Sequence, residues 1–151
     1  MKIKEGDLLK ANEKIIGHGC NCQGKMGAGV AKQIKNNYPK AFRKYKEKCD
    51  SSNPNELLGK IQLVKVNSDR YIANLFTQVN YGSMHKSFNY NKLNWALEVL
   101  KHEVLNQNID NKVALPKIGC GYGKADFNRV KSVIENVEAG FWEFEFIIYI
   151  L

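Results

Sequence analysis

Two glycine-dense segments, each a few residues after a short apolar stretch, constrain the fold of this chain more than any other feature. The first, GKMGAG at 24–29, follows Ile15 and Ile16 and leads into an apolar helix pattern, and the second, GCGYG at 119–123, follows VALP at 113–116. Glycine leaves the backbone open to close approach, and the N–H groups that begin a helix attract anions. Each segment therefore predicts a strand, an anion-binding loop and a helix in succession.

Alternating strand and helix patterns fill the rest of the chain. Strand candidates are short and rich in apolar residues, whereas helix candidates repeat apolar residues every three or four positions. Pro39 follows Tyr38 and predicts the end of one helix and the start of the next. The expected elements are a strand at 15–16, helices at 27–37 and from 39 to about 49, a hairpin of 60–66 and 71–77, a helix at 88–106, a strand at 113–116, a helix between the caps Asp126 and Gly140, and a strand at 143–151.

This alternation predicts an α/β fold, a three-layer α/β/α sandwich around a central mixed sheet, with the hairpin supplying the antiparallel pair. A chain of 151 residues without a linker-like segment predicts one domain, residues 1–151. In such sheets ligands bind beyond the carboxyl ends of the strands, so both glycine segments are expected on the same edge. One segment alone is explained equally well by a tight turn, whereas two of them favour a pair of loops that clamp a diphosphate.

Charge and cysteine content limit the classes of binding partner and cofactor that the chain is expected to have. A formal net charge of +8 favours an anionic partner, either a phosphate ester or a nucleic acid. Glu143 and Glu145 interrupt the C-terminal apolar run and no signal peptide is recognisable, so we expect no membrane association and a cytoplasmic protein with reduced cysteines. His18, Cys20 and Cys22 have H-x-C-x-C spacing without a companion pair, so we expect no metal and no cofactor.

Four motifs in order along the chain resemble the macro domain, an ADP-ribose-binding module. The motifs are GDLL at 6–9, HGCNCQGKMGAGVA at 18–31, NLFTQ at 74–78 and LPKIGCGYG at 115–123. The resemblance is closest to the ADP-ribose 1″-phosphate phosphatase subgroup, whose pattern HxCNCxGxxGxGxA precedes a YPKA-like turn; this chain continues with NYPKAF at 37–42.

The chain is also similar to the ADP-ribose-protein glycohydrolase subgroup. That subgroup uses a lysine just after the LxT strand and an acid within the second glycine loop. This sequence has Gln78 and Gly123 at those positions. Glutamine cannot form a Schiff base and glycine has no proton to transfer, so the lysine-dependent reaction is disfavoured.

The resemblance implies roles for individual residues. Asp7 and Leu8 would contact the adenine, with the Asp7 carboxylate accepting from the exocyclic amine. Asn21 would bind the distal ribose, and His18 would act as general acid or base. Each role has a structural alternative: Asp7 stabilises a turn, Asn21 caps a strand end and His18 is a buried structural group. His85 is a second histidine expected over the terminal ribose, unless it is an exposed loop residue.

The two glycine loops would hold the diphosphate and the transferred phosphate. Cys120 would approach the ligand and Tyr122 would press on the ribose, although both also fit as plain loop residues. The implied substrate-binding residues are Asp7, Leu8, Gly19, Asn21, Gly24, Met26, Gly27, Ala28, Gly29, Val30, Thr77, Pro116, Ile118, Gly119, Cys120, Gly121, Tyr122 and Gly123.

The resemblance therefore implies a phosphatase that converts ADP-ribose 1″-phosphate to ADP-ribose and phosphate. Two alternatives stay open: a non-catalytic reader of ADP-ribose, and a hydrolase that removes ADP-ribose from protein or nucleic-acid ends. The expected partners are ADP-ribose, ADP-ribose 1″-phosphate, or ADP-ribosylated protein or nucleic acid. We expect the protein to act as a monomer.

Overall fold

A computed structural model describes residues 1–81, 88–121, 123–140 and 143–151. Its strands and helices alternate along the chain, as the sequence pattern predicts. The strands are β1 (Lys2–Glu5), β2 (Ile15–Cys20), β3 (Ile61–Asn67), β4 (Arg70–Phe76), β5 (Lys112–Leu115) and β6 (Glu145–Ile150), and the helices are α1 (Gly29–Asn37), α2 (Pro39–Asp50), α3 (Pro54–Leu57), α4 (Tyr90–Asn106) and α5 (Phe127–Ala139).

The strands form one mixed sheet in the order β1-β6-β5-β2-β4-β3. The predicted hairpin is confirmed, because β3 and β4 pair antiparallel, whereas β1, β6, β5, β2 and β4 pair parallel with their neighbours. The edge strand β1 was not predicted. All four of its residues are exposed, so it lacks the apolar alternation by which a half-buried strand is recognised.

Helices cover both faces of the sheet, which confirms the three-layer α/β fold. Successive strand residues point to opposite faces. On one face, Ile15 and Leu75 pack in a cluster with residues of α4 and α5. On the other, Ile16 and Ile72 pack with Ile34 of α1 and Ala41 of α2. We call these the α4–α5 face and the α1–α2 face.

The helix ends follow local chemistry. The Asp126 side chain accepts a hydrogen bond from the Asn128 N–H at the start of α5, and Gly140 follows its end, so both predicted caps are confirmed. Helix α4 begins at Tyr90, two residues later than predicted, because the Asn89 side chain caps the Lys92 N–H. The short helix α3 was not predicted, because its sequence reads as a turn.

The two glycine segments lie on one edge of the sheet, as predicted. Strands β2 and β5 are parallel neighbours, with Ile16 opposite Ala114, so the chain leaves both at the same end. No helix in the described part of the chain is long and apolar enough to cross a membrane.

Candidate functional site

Two loops form the candidate site at this edge. The first glycine loop, residues 21–29, joins β2 to α1, and the second glycine loop, residues 116–125, leads from β5 towards α5. Gly27, Ala28 and Gly29 are exposed in the first loop and Gly121 in the second. Exposed backbone at the carboxyl ends of adjacent parallel strands is the usual ligand position in α/β sheets.

No described neighbour requires glycine at positions 27 and 121. A Cβ at either position would have no described atom within 4 Å, and neither residue has a positive φ. Alanine would therefore fit at both positions. An external group that approaches the backbone too closely for a methyl group is therefore the physical reason we assign to these two glycines.

Packing explains other glycines of the second loop. Gly119 has a φ of +77° and a Cβ there would lie 2.5 Å from the Phe88 ring. A Cβ at Gly123 would lie 2.7 Å from the Gly119 carbonyl oxygen, which already accepts a hydrogen bond from the Ala125 N–H at 2.8 Å. Because the loop closes on itself here, position 123 has no room for an acidic side chain.

Asn21 shapes the first loop from within. Its Oδ1 accepts hydrogen bonds from the Gln23 N–H at 2.9 Å and from the Tyr45 hydroxyl at 2.6 Å, and its Nδ2 donates to the Lys25 carbonyl at 2.8 Å. The predicted ribose contact of Asn21 stays a prediction. Tyr45 lies on α2, and nothing in the local sequence shows that its hydroxyl reaches this loop.

His18 is enclosed beneath the site. The side chain is 1% exposed and lies on the α1–α2 face, where its Nε2 bonds the Oδ1 of Asn74 at 2.7 Å. The Asn74 Nδ2 donates to the carbonyl of Ala41 in α2 and to Gln62, so Oδ1 is the acceptor and His18 Nε2 carries the proton. The Cys20 Sγ lies 3.6 Å from the same nitrogen.

This environment does not suit the proton-transfer role predicted for His18. Burial lowers the pKa of His18 to about 4, and outweighs the opposite effect of the hydrogen bond to Asn74. The ring is therefore neutral near pH 7. A general acid or base must reach its substrate directly or through a water molecule, and the 1% exposure of His18 does not favour this. The predicted catalytic role of His18 stays a prediction. The geometry matches the structural alternative.

The predicted adenine residues lie beside the end of β1. The Gly6 N–H donates to the Ile150 carbonyl at the end of β6, which places this turn at the same sheet edge as the loops. Asp7 is half-buried, and its Oδ1 accepts from the Leu9 N–H at 3.0 Å as the cap of a short 3₁₀ turn. Leu8 is buried. The cap explains Asp7 locally, and its adenine contact stays a prediction.

Gly19, Thr77 and Ile118 meet between the loops. A Cβ at Gly19 would lie 2.9 Å from the Thr77 Oγ1 and 3.0 Å from the Ile118 Cγ2, so packing requires this glycine. Thr77 is 1% exposed and its Oγ1 has no hydrogen-bond partner among the described residues. The structure thus brings together three residues that are far apart in the sequence.

The other predicted ligand residues lie in or beside the two loops. Met26 is buried, Val30 and Pro116 are half-buried, and Gly24 has a φ of +75°. The Cys120 Sγ donates to the Ile118 carbonyl at 3.5 Å, and burial raises the pKa of the Cys120 thiol. Tyr122 and His85 lie outside the described residues, so their predicted ligand contacts stay predictions.

The lysines beside the loops give the edge a basic rim. Lys25 is exposed in the first loop, and Lys117 and Lys124 are exposed in the second. Asp126 is exposed at the end of the second loop, where capping α5 accounts for it. The buried Cys20 and Cys22 are compact core residues, and no cluster among the described residues is arranged to hold a metal ion.

The macro domain family model matches residues 18–134, which include both glycine loops. The chain belongs to the macro domain family.

The relatives include proteins named for two different activities. An ADP-ribose 1″-phosphate phosphatase of Saccharomyces cerevisiae (strain YJM789) is 42% identical over 64% of this chain, which spans 58% of that protein, less than two thirds of its length. A protein of the same name from Meyerozyma guilliermondii is 32% identical over 87% of this chain and 90% of that protein. A DNA ADP-ribosyl glycohydrolase of Mycobacterium tuberculosis is 30% identical over 83% of this chain but only 35% of that protein.

The fold is shared with solved structures. The macrodomain of Mycobacterium tuberculosis DarG superposes with a TM-score of 0.83, covers 98% of this chain and 95% of that chain, and is 26% identical.

Proposed function

We propose that this macro domain binds ADP-ribose and hydrolyses ADP-ribose 1″-phosphate. Water attacks the terminal phosphorus, the bond from phosphorus to the 1″ oxygen breaks, and the products are ADP-ribose and inorganic phosphate. The relatives named for this activity support the proposal, because one of them aligns over nearly its whole length.

The open glycines support the binding half of the proposal. Gly27 and Gly121 have open space beside them in loops that follow two adjacent parallel strands, so each loop can offer backbone N–H groups to a ligand at this edge of the sheet. Such donors stabilise the charge of phosphate oxygens, and they bind most strongly where water is excluded. Lys25 and Lys124 add long-range attraction for an anion.

The closed second loop carries the choice of reaction. Position 123 must be glycine because the Gly119 carbonyl occupies the space of a Cβ, so the acid of the lysine-dependent glycohydrolases has no place here. Gln78, at the position of their lysine, donates through Nε2 to the Asn80 carbonyl at 2.8 Å. A neutral amide at this place offers neither a nucleophile nor a mobile proton.

Because His18 is buried, we propose that proton transfer in this reaction falls to another group. The attacking water needs a base, or the leaving sugar oxygen an acid. We assign this role to Asp126, the exposed carboxylate beside the second glycine loop, or to His85. Separate Asp126→Asn and His85→Gln variants distinguish them, since only the loss of the true proton-transfer group lowers turnover at saturating substrate.

A second candidate function is release of ADP-ribose from DNA. The glycohydrolase relative and the charge of +8 favour it, since a basic surface recruits a polyanionic substrate. It requires a catalytic arrangement that does not use a lysine at position 78. ADP-ribose released from an ADP-ribosylated oligonucleotide, without phosphate release from ADP-ribose 1″-phosphate, would select this function.

The deciding experiment combines binding and turnover. Titration with ADP-ribose gives the dissociation constant, and phosphate release is then measured at ADP-ribose 1″-phosphate concentrations far above it. We expect release by the wild type and its loss in Gly121→Ala, whereas Trp95→Ala, on the outer side of α4 and 65% exposed, acts as the unaffected control. Binding without release would leave a reader, and the absence of binding would overturn the proposal.

A further inference from the structure

We propose that Tyr45 is a positioning residue: its phenol on α2 holds the first glycine loop in its ligand-binding conformation and thereby sets the affinity for the ADP-ribosyl diphosphate. This inference rests on the binding half of the proposed function. It does not depend on which bond is hydrolysed.

The Tyr45 hydroxyl ties together the two ends of the loop's first turn. It donates to the Oδ1 of Asn21 at 2.6 Å and lies 3.0 Å from the Asn21 carbonyl oxygen, while the Lys25 N–H donates to it at 3.0 Å. A hydroxyl has one proton and two acceptor positions, so these contacts use it as donor and acceptor together. Burial raises the pKa of Tyr45, which keeps the phenol neutral at working pH.

The ring that carries this hydroxyl is itself fixed. Tyr45 is fully buried and stacks on Phe76 at the end of β4, with ring centroids 5.8 Å apart and an interplanar angle of 18°. The hydroxyl position is therefore set by the sheet and α2, not by the loop. A rigid anchor beneath a flexible, glycine-rich segment lowers the entropy lost when a ligand orders that segment.

Neighbouring residues of α2 extend the support. A Cβ at Gly24 would lie 3.1 Å from the Lys46 Cδ and 3.7 Å from the Cys49 Cβ. Tyr45, Lys46 and Cys49 thus contact the loop along one side of α2. Two residues after Lys25 the chain reaches Gly27, the open position of this loop, so the anchor acts close to the proposed phosphate contact.

The test is the Tyr45→Phe variant, which keeps the stacked ring and removes only the hydroxyl. We expect a folded protein whose dissociation constant for ADP-ribose rises roughly tenfold, about the effect of one net hydrogen bond to the binding-competent loop. Ile134→Val is the control, because it removes one buried methylene of α5 on the opposite face of the sheet and loses stability without touching the loop. Its ADP-ribose affinity is expected to stay within about twofold of the wild type.

Hydrogen exchange gives a second readout that a general loss of stability does not mimic. In Tyr45→Phe the Lys25 amide should exchange faster, whereas amides of β2 and β4 keep their protection. If the wild type binds ADP-ribose and Tyr45→Phe shows either the same Lys25 exchange rate or the same ADP-ribose affinity, the positioning role is overturned and the proposed function stays intact. A wild type that does not bind ADP-ribose would overturn both.

Discussion

Alanine at Gly27 and at Gly123 should have opposite consequences, because different neighbours require glycine at the two positions. At Gly27 a Cβ meets open space and the backbone φ is not positive. Replacement there restricts the unfolded chain, so we expect stability to be unchanged or raised by about 0.4–1 kcal/mol. At Gly123 a Cβ lies 2.7 Å from a backbone oxygen, and relief of that contact is expected to cost about 1–3 kcal/mol.

Ligand affinity should follow the reverse pattern. If a phosphate packs against the Gly27 backbone, a methyl group there opposes it with about 1–3 kcal/mol of overpacking, which corresponds to a loss of roughly 5- to 150-fold in ADP-ribose affinity. Gly123→Ala loses affinity only to the extent that the second loop is displaced.

Thermal unfolding and calorimetric titration of the same samples measure both quantities. Gly140→Ala, at the far end of α5, is the matched control, since among the described residues its Cβ would meet only the Lys101 Nζ, at 3.7 Å. A stable Gly27→Ala that binds ADP-ribose as tightly as the wild type would refute the assignment of this glycine to the ligand. A Gly123→Ala of unchanged stability would refute the steric account of the second loop.

Two further predictions concern side chains with a structural explanation. The pKa of His18 in the folded state, about 4, lies below its unfolded value of 6.5, so the unfolded chain binds the proton first as the pH falls. The free energy of unfolding should therefore fall as the pH drops from 6.5 towards 4, by about 2 kcal/mol at pH 5. Urea unfolding should show this loss in the wild type and in His102→Gln, but not in His18→Asn. Asp7→Asn keeps an acceptor for the Leu9 N–H but loses the carboxylate, so it should bind ADP-ribose more weakly at a nearly unchanged melting temperature. Asp7→Ala should in addition lose about 1 kcal/mol of stability. If Asp7→Asn binds ADP-ribose as tightly as the wild type, the only role of Asp7 is to cap the 3₁₀ turn.

Much of the fold could be predicted because its signals are local. The hairpin follows from two apolar runs around a turn, and helix α5 lies between Asp126 and Gly140 because caps act within one turn of a helix. Strand β1 escaped prediction for the converse reason. Its exposed residues carry no local pattern, and only pairing with β6 makes them a strand.

The site was predictable as two loops but not as a set of roles. The spacing of glycines indicated where backbone would be bare, and the sheet rule placed both loops at one edge. The sequence did not distinguish Gly27 and Gly121, which have open space beside them, from Gly119 and Gly123, where packing requires glycine. All four are the same residue in similar local sequence, and only their neighbours in space differ.

The order of strands, glycine loops and helices, and the family that this order resembles, can be read from the sequence because each depends on residues close together in the chain. The environment of His18 and the proposed positioning role of Tyr45 depend on the tertiary structure. His18 meets Asn74 across 56 positions, and Tyr45 meets Asn21 across 24. Such contacts form only when separate strands and helices pack, so the same histidine reads as an acid–base group in the sequence and is a neutral, enclosed hydrogen-bond donor in the fold.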